Sequence, residues 1–182
     1  LPAGAITGVA WHCYNGSPAV MHRLQRRVPK LDQVVSECAT QITDLAVPEV
    51  ISQSLRYGAS TVALWNLALS PSGGPVQPPD SGCRGCRGLV TVNPRTHTVT
   101  YSLAYYQLGQ FSRFISRGAR RISSTQAGGI DDVAVRNPDG SVALVAYNTS
   151  RSKTEFAIEW NHEYLPYTLP PRATATFVWS GG

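Results

Sequence analysis

Five side chains in the first 70 residues have the types and spacing for work on a sugar: Glu37, His12, Tyr14, Trp65 and Asn66. Glu37 stands where a short β-branched run, Val34 and Val35, breaks into the polar stretch Ser36-Glu37-Cys38-Ala39-Thr40. A run of that kind ending in one acid reads as a buried strand delivering a carboxylate to a sheet edge, where parallel α/β proteins keep their chemistry. Ile6 to Tyr14 alternates so that Ile6, Gly8, Ala10, His12 and Tyr14 share one face, and Thr61 to Leu67 climbs through Val62 and Leu64 to Trp65 and Asn66. Each residue has a plain structural explanation: an exposed strand end for Glu37, a core ring for His12, Tyr14 or Trp65, a turn for Asn66. Their coincidence at three consecutive strand ends favours a site, because in a parallel sheet those ends face one crevice. Glycoside hydrolysis needs this set: a carboxylate nucleophile, donors that orient it, and rings that lie against sugar faces.

The elements that must position these residues alternate. Strand Ile6 to Tyr14, a helix within Ala19 to Arg27, strand Gln33 to Ser36, a helix ending near Tyr57 and strand Thr61 to Leu67 form a βαβαβ run, which implies parallel strands joined by helices. In the second helix Val47, Ile51 and Leu55 recur at helical spacing, and Pro48 fits only near its first turn or as a kink. Pro71 to Gly88 is a long loop rich in Gly and Pro, of a length that in a compact domain is usually functional or disordered. Leu89 to Asn93 and Thr98 to Tyr101 read as a hairpin, and Leu103 to Ile115 as a helix with Leu103, Tyr106, Gln110 and Phe114 on one side and Gly118 ending it. From Arg120 the period is two, with strands around Val133, Val142, Phe156, Tyr164 to Leu169 and Ala173 to Trp179, and Asn137-Pro138-Asp139-Gly140 as a turn. That spacing predicts an antiparallel sandwich.

The chain has 182 residues, 42% hydrophobic and 15% charged, which excludes a disordered or fibrous protein. Its net charge of +5 comes from arginines scattered along the chain, with no motif of a nucleic-acid binder, so no nucleic-acid partner is expected. No apolar run is long enough for a membrane span, and the start has no basic segment followed by an apolar core, so an export signal is expected to be absent or already removed. Four cysteines, Cys13, Cys38, Cys83 and Cys86, allow three pairings. Cys83-Arg84-Gly85-Cys86 sits in the Gly-rich loop with His97 as the one nearby extra ligand, which argues against zinc and for a loop staple in an exported protein. A thioredoxin-like role is disfavoured because that motif opens a helix after a strand.

Three longer motifs carry a family resemblance: Gly8-Val9-Ala10-Trp11-His12-Cys13-Tyr14, Ser36-Glu37-Cys38, and Leu64-Trp65-Asn66-Leu67-Ala68-Leu69-Ser70-Pro71-Ser72-Gly73-Gly74-Pro75. With Tyr105 to Ile115, Asn137 to Ser141 and Thr174 to Trp179, they make the whole chain, in order, resemble glycoside hydrolase family 30, which includes glucosylceramidases and endo-β-1,6-glucanases. The resemblance implies the C-terminal part of a (β/α)8 TIM barrel over residues 1–117, followed by an antiparallel β-sandwich over 118–182. It implies hydrolysis of a β-glucan or β-glucoside with retention, by a secreted enzyme without cofactor or metal. Glu37 falls at the family's nucleophile position on the seventh barrel strand, His12 and Tyr14 at the end of the sixth, and Trp65 and Asn66 at the sugar-binding end of the eighth. The Cys83 and Cys86 loop resembles microbial glucanase-type members.

One departure is decisive. A retaining glycosidase needs a second carboxyl group roughly 5 Å from the first, in this family a Glu preceded by Asn on the fourth strand, and the chain contains no Asn-Glu pair. Asp32, Asp44, Glu49, Asp80, Asp131, Asp132, Asp139, Glu155, Glu159 and Glu163 are all expected in helices, turns or sandwich strands. The expectation is therefore a nucleophile-bearing part that needs the N-terminal half of the barrel, with an open parallel edge and an uncovered apolar face. The alternative is a non-catalytic carbohydrate-binding or accessory module derived from such an enzyme. Two glycosylation sequons, Asn15-Gly16-Ser17 and Asn148-Thr149-Ser150, are left open by sequence.

Overall fold

The computed structural model describes residues 5–76, 83, 85–126 and 128–181. The chain forms two units, residues 1–106 and 107–182, divided within one helix.

In the first unit β1 (Gly8–His12), α1 (Ala19–Arg27), β2 (Asp32–Glu37), α2 (Val47–Arg56) and β3 (Thr61–Val62) build a parallel sheet of order β1-β2-β3. The βαβαβ reading holds, with shorter strands than expected. Ile6 to Tyr14 contracts to β1, and the predicted strand Thr61 to Leu67 keeps two ladder residues. The chain leaves the ladder there, although Ala63 N–H still donates to Val35 O (2.7 Å) and Trp65 N–H to Cys38 O (2.9 Å). It then forms β4 (Ala68–Leu69), parallel to β5 (Val90–Asn93), which pairs antiparallel with β6 (Thr98–Tyr101) as the predicted hairpin. The hairpin turn is set by Asn93, whose side-chain oxygen accepts from the N–H groups of Arg95 and Thr96, while His97 takes positive φ. Part of the Pro71 to Gly88 loop, with Asp80, lies outside the described residues.

The helices pack on one face of the β1-β2-β3 sheet. Met21 of α1, Val50 of α2, Val35 of β2, Cys38 and Ala59 are buried together, with Trp11 and Val62 against them. On α2 the buried stripe is Val47, Val50, Ile51 and Ser54, with the expected Leu55 only half-buried. The helix starts where expected, Pro48 lying in the first turn and the Glu49 carboxylate accepting from Ala46 N–H at 2.7 Å. Ala46 has no side-chain oxygen to return, so the cap is one-sided. Buried Gln33 ties sheet to α1, accepting from Trp11 Nε1 and donating to Met21 O and Gln25 Oε1. The opposite face, Gly8, Ala10, His12, Val34, Ser36 and Thr61, is largely exposed, and β1 has one unpaired edge. That face is lined by small side chains, half of them polar, so it is less apolar than expected, and large apolar side chains are exposed elsewhere too, among them Leu67, Val92, Val99, Tyr101 and Leu103.

Helix α3 (Leu103–Ser112) is shorter than the predicted Leu103 to Ile115, and it buries Phe111 while Leu103 and Tyr106 stay exposed. The residue meant to stop it, Gly118, instead serves the turn before the next strand, with φ +85°.

In the second unit β7 (Arg120–Ile122), β8 (Ile130–Arg136), β9 (Ser141–Asn148) and β12 (Thr174–Ser180) form an antiparallel sheet of order β12-β9-β8-β7. β10 (Thr154–Trp160) and β11 (Glu163–Leu169) form a separate hairpin, turning through Asn161 and His162 at positive φ. Ile130, Ala146 and Leu169 are buried beneath Phe156 and Phe177, joining hairpin to sheet as a sandwich. The expected alternation fails on β9, where Val142 to Asn148 are all buried. The other face of the sheet is covered too: Thr176 Oγ1 donates to Gln110 O (2.8 Å), and Asn137 Nδ2 donates to Phe114 O (3.0 Å). The Asn137 to Gly140 turn closes as predicted, with Gly140 at φ +86° and Asp139 accepting from Ser141 N–H.

Candidate active site

β1 and β2 run parallel in simple register from Gly8↔Asp32 to Trp11↔Val35, then slip by one residue so that His12 pairs with Glu37. Ser36 is the extra residue. Without the slip, strand alternation would carry Glu37 onto the helix-packed face with Gln33 and Val35; with it, Glu37 turns to the side of His12.

The result is a three-residue cluster at the carboxyl ends of two neighbouring strands. Tyr14 OH donates to Glu37 Oε1 at 2.6 Å, and His12 Nε2 lies 4.0 Å from Glu37 Oε2. The rings of His12 and Tyr14 meet edge to face, with centroids 5.6 Å apart. Tyr14 OH also accepts from the backbone N–H of Ala39 at 3.2 Å, so one phenol bridges the carboxylate and the backbone just beyond it. The Tyr14 phenol is raised to about 12 by partial burial first and then by the bond it donates to Glu37 and the nearby carboxylate charge, against which the Ala39 N–H acts. The carboxylate stays open to ligand, with a side chain 29% exposed against 50% for His12.

Trp65 is tied to the backbone beside Glu37 through its N–H, whereas Asn66 bonds toward Leu89 and makes no hydrogen bond to the cluster among the described residues. The Trp65 N–H donates to the carbonyl of Cys38, next to Glu37, and the Asn66 carbonyl accepts from Leu89 N–H at 2.9 Å. Trp65 is 39% exposed, leaving ring surface available. Of the acids set aside by sequence, Asp32 is placed differently from expectation: it opens β2, roughly 16 Å from Glu37 along six extended residues. The others in the described residues lie in α2, in loops or turns, or on sandwich strands.

Two features escape the sequence reading. The cysteines pair as Cys13–Cys38 and Cys83–Cys86, the second being the expected loop staple. Asn148, the acceptor of one sequon, is fully buried, its amide nitrogen donating to the carbonyls of Ser152 (2.7 Å), Leu169 (3.0 Å) and Pro170 (3.1 Å). A glycan cannot be attached there in this fold, whereas Asn15 is exposed. Among the described residues no helix is long and apolar enough to cross a membrane.

Residues 118–177 match the family model described as the glycosyl hydrolase family 30 beta sandwich domain. An endo-1,6-β-D-glucanase of Trichoderma harzianum is 35% identical over 82% of this chain and 32% of its own length, and the lysosomal acid glucosylceramidase of Mus musculus 28% identical over 71% and 25%. Among solved structures, SrfJ from Salmonella typhimurium superposes with a TM-score of 0.86 at 25% identity, covering 96% of this chain and 41% of that one. An endo-β1,6-glucanase gives 0.84 at 22% identity over 98% and 42%. The sandwich is of the kind that glycoside hydrolase family 30 members carry, and the chain belongs to that family. It spans about a third of the length of the fungal glucanases it matches.

Proposed function

We propose that this chain is the nucleophile-bearing C-terminal part of a retaining β-glycoside hydrolase acting on a β-1,6-glucan. The observation that carries the reading is the bond from Tyr14 OH to Glu37 Oε1, with His12 beside the other oxygen, at the carboxyl ends of parallel strands. Tyr14 holds Oε1, and Oε2, beside His12, attacks the anomeric carbon as the aglycone departs. Trp65 and Asn66 bind the sugar of the glycosyl-enzyme, which water then hydrolyses. The leaving-group proton comes from a carboxyl group on barrel strands preceding this chain, so residues 1–117 complete a (β/α)8 barrel with an N-terminal half, and 118–182 form the sandwich. The β-1,6 linkage is supported by the fungal relatives, which are 34% and 35% identical, against 28% for the glucosylceramidase. Secretion is supported by the two disulfides.

The test is a mechanism-based inhibitor, an activated 2-fluoro-β-glucoside, applied to the chain extended upstream by the remaining barrel strands. Peptide mapping should find covalent label on Glu37, and hydrolysis of β-1,6-glucan by the extended form only. Label on another carboxylate overturns the assignment. Saturable glycan affinity without label or turnover means the accessory-module reading is right.

A further inference from the structure

Each cysteine of the Cys13–Cys38 disulfide is directly flanked in sequence by site residues. Cys13 lies between His12 and Tyr14, and Cys38 follows Glu37. Strand alternation sends Cys13 to the side opposite His12 and Tyr14, and both sulfurs join the apolar cluster of Met21, Val35 and Val50 under the sheet. The two half-cystines thus meet beneath while the three functional groups meet above.

The position matters because the ladder stops there. The last paired residues are His12 and Glu37, and residues 13–16 are bends without strand bonds, running to Gly16 at φ +80°. Tyr14 is therefore a loop residue, two beyond the end of β1. Three things fix it: its hydroxyl on Glu37, its hydroxyl on Ala39 N–H, and the crosslink at the residue before it. Cys38 is wholly buried, its carbonyl receives Trp65 N–H, and Ala39 follows it, so the same link anchors the residues on which Tyr14 and Trp65 lean. Its half-cystines are 25 residues apart and directly follow the ends of two different strands, β1 and β2; those of Cys83–Cys86 are three apart and cannot set a distance between elements.

We propose that Cys13 and Cys38 are positioning residues for the nucleophile: their crosslink replaces the missing ladder bonds and holds Tyr14 and His12 in register with Glu37. The proposal rests on the reading of Glu37 as nucleophile, and it makes the site's geometry conditional on an oxidising compartment.

The test titrates tyrosine by 13C NMR of the labelled Cζ carbons in the chain extended upstream to the complete barrel, with Tyr14 assigned by Y14F, in the native form and in a Cys13→Ala/Cys38→Ala pair. Tyr14 should titrate near 12 in the native chain and fall toward the ordinary value of 10 in the variant, with its circular dichroism spectrum kept. In the barrel-complete enzyme the same pair should lower kcat roughly 10- to 100-fold, as displacement of a reacting group does, with KM little changed, while Cys83→Ala/Cys86→Ala keeps kcat. A Tyr14 titration unmoved in the folded variant overturns the proposal. A moved titration with unchanged kcat leaves the positioning intact and sinks the nucleophile reading instead. If the alanine pair does not fold, a Cys13→Val/Cys38→Ala pair that refills the sulfur volume takes its place; if that also fails to fold, the link is structural and the proposal falls.

Discussion

The two units differ in where they leave polar groups. In residues 107–182 the central strands β8 and β9 are covered on both faces, and a buried amide such as Asn148 spends its hydrogen bonds on backbone carbonyls of the same unit. In residues 1–106 the β1-β2-β3 sheet is covered on its helix side only, and its other face presents Gly8, Ala10, His12 and Ser36 to solvent, ending in the Glu37 cluster. A polar group whose partners are all internal serves stability. One left half-open with a single strong partner is available to a ligand. The candidate chemistry and the self-contained core therefore fall in different units.

The largest expected effect tests that division. In the barrel-complete enzyme Glu37→Gln should lower turnover on the order of 10⁴-fold or more while the thermal midpoint barely moves; retained turnover, read with a chromogenic β-glucoside, would break the comparison from the catalytic side. Asn148→Ala should do the reverse. Truncating the amide strands the carbonyls of Ser152, Leu169 and Pro170 and should cost about 2–4 kcal/mol in urea unfolding, without shifting the Tyr14 titration. Tyr14→Phe removes the bond to Glu37 and should cost about 1.5–3 kcal/mol of transition-state stabilisation, read in kcat/KM, as for hydrogen bonds to charged groups.

The same phenol makes a pH prediction. Its folded value, about 12, lies above the ordinary 10, so the native state holds the proton more tightly. The stabilisation it contributes is complete below 10 and is lost as pH rises from 10 through 12; unfolding midpoints of Tyr14→Phe should therefore be flatter with pH in that window. The smallest effect belongs to the turn at Gly140, φ +86°, where Ala should cost about 1–2 kcal/mol in the sandwich unit and nothing in kcat.

Much of this was legible without coordinates because it is local. The βαβαβ order follows from the spacing of Val34, Val35, Val47 and Ile51, and the hairpin and tight turn follow from Asn93 and from Asn137 to Gly140, whose side chains bond their own backbone. The motif residues His12, Tyr14 and Glu37 could be picked out at strand ends for the same reason. The length of α3 differs from the spacing's prediction, and the side that Leu103, Tyr106, Gln110 and Phe114 share is not the buried one, since only Phe111 of the helix is buried. Periodicity says that a helix has a face, not which residues a neighbour covers.

What the sequence by itself determined is residue type, local turn chemistry and strand order. What only the tertiary structure decided is the register slip that turns Glu37 toward His12, the Cys13–Cys38 pairing among three possible, and the burial of Asn148 inside a sequon that the sequence left open. Each depends on which residue of one element lies opposite which residue of another. One position of slip reverses a strand's faces, so that information lies in the pairing of strands rather than in either strand alone.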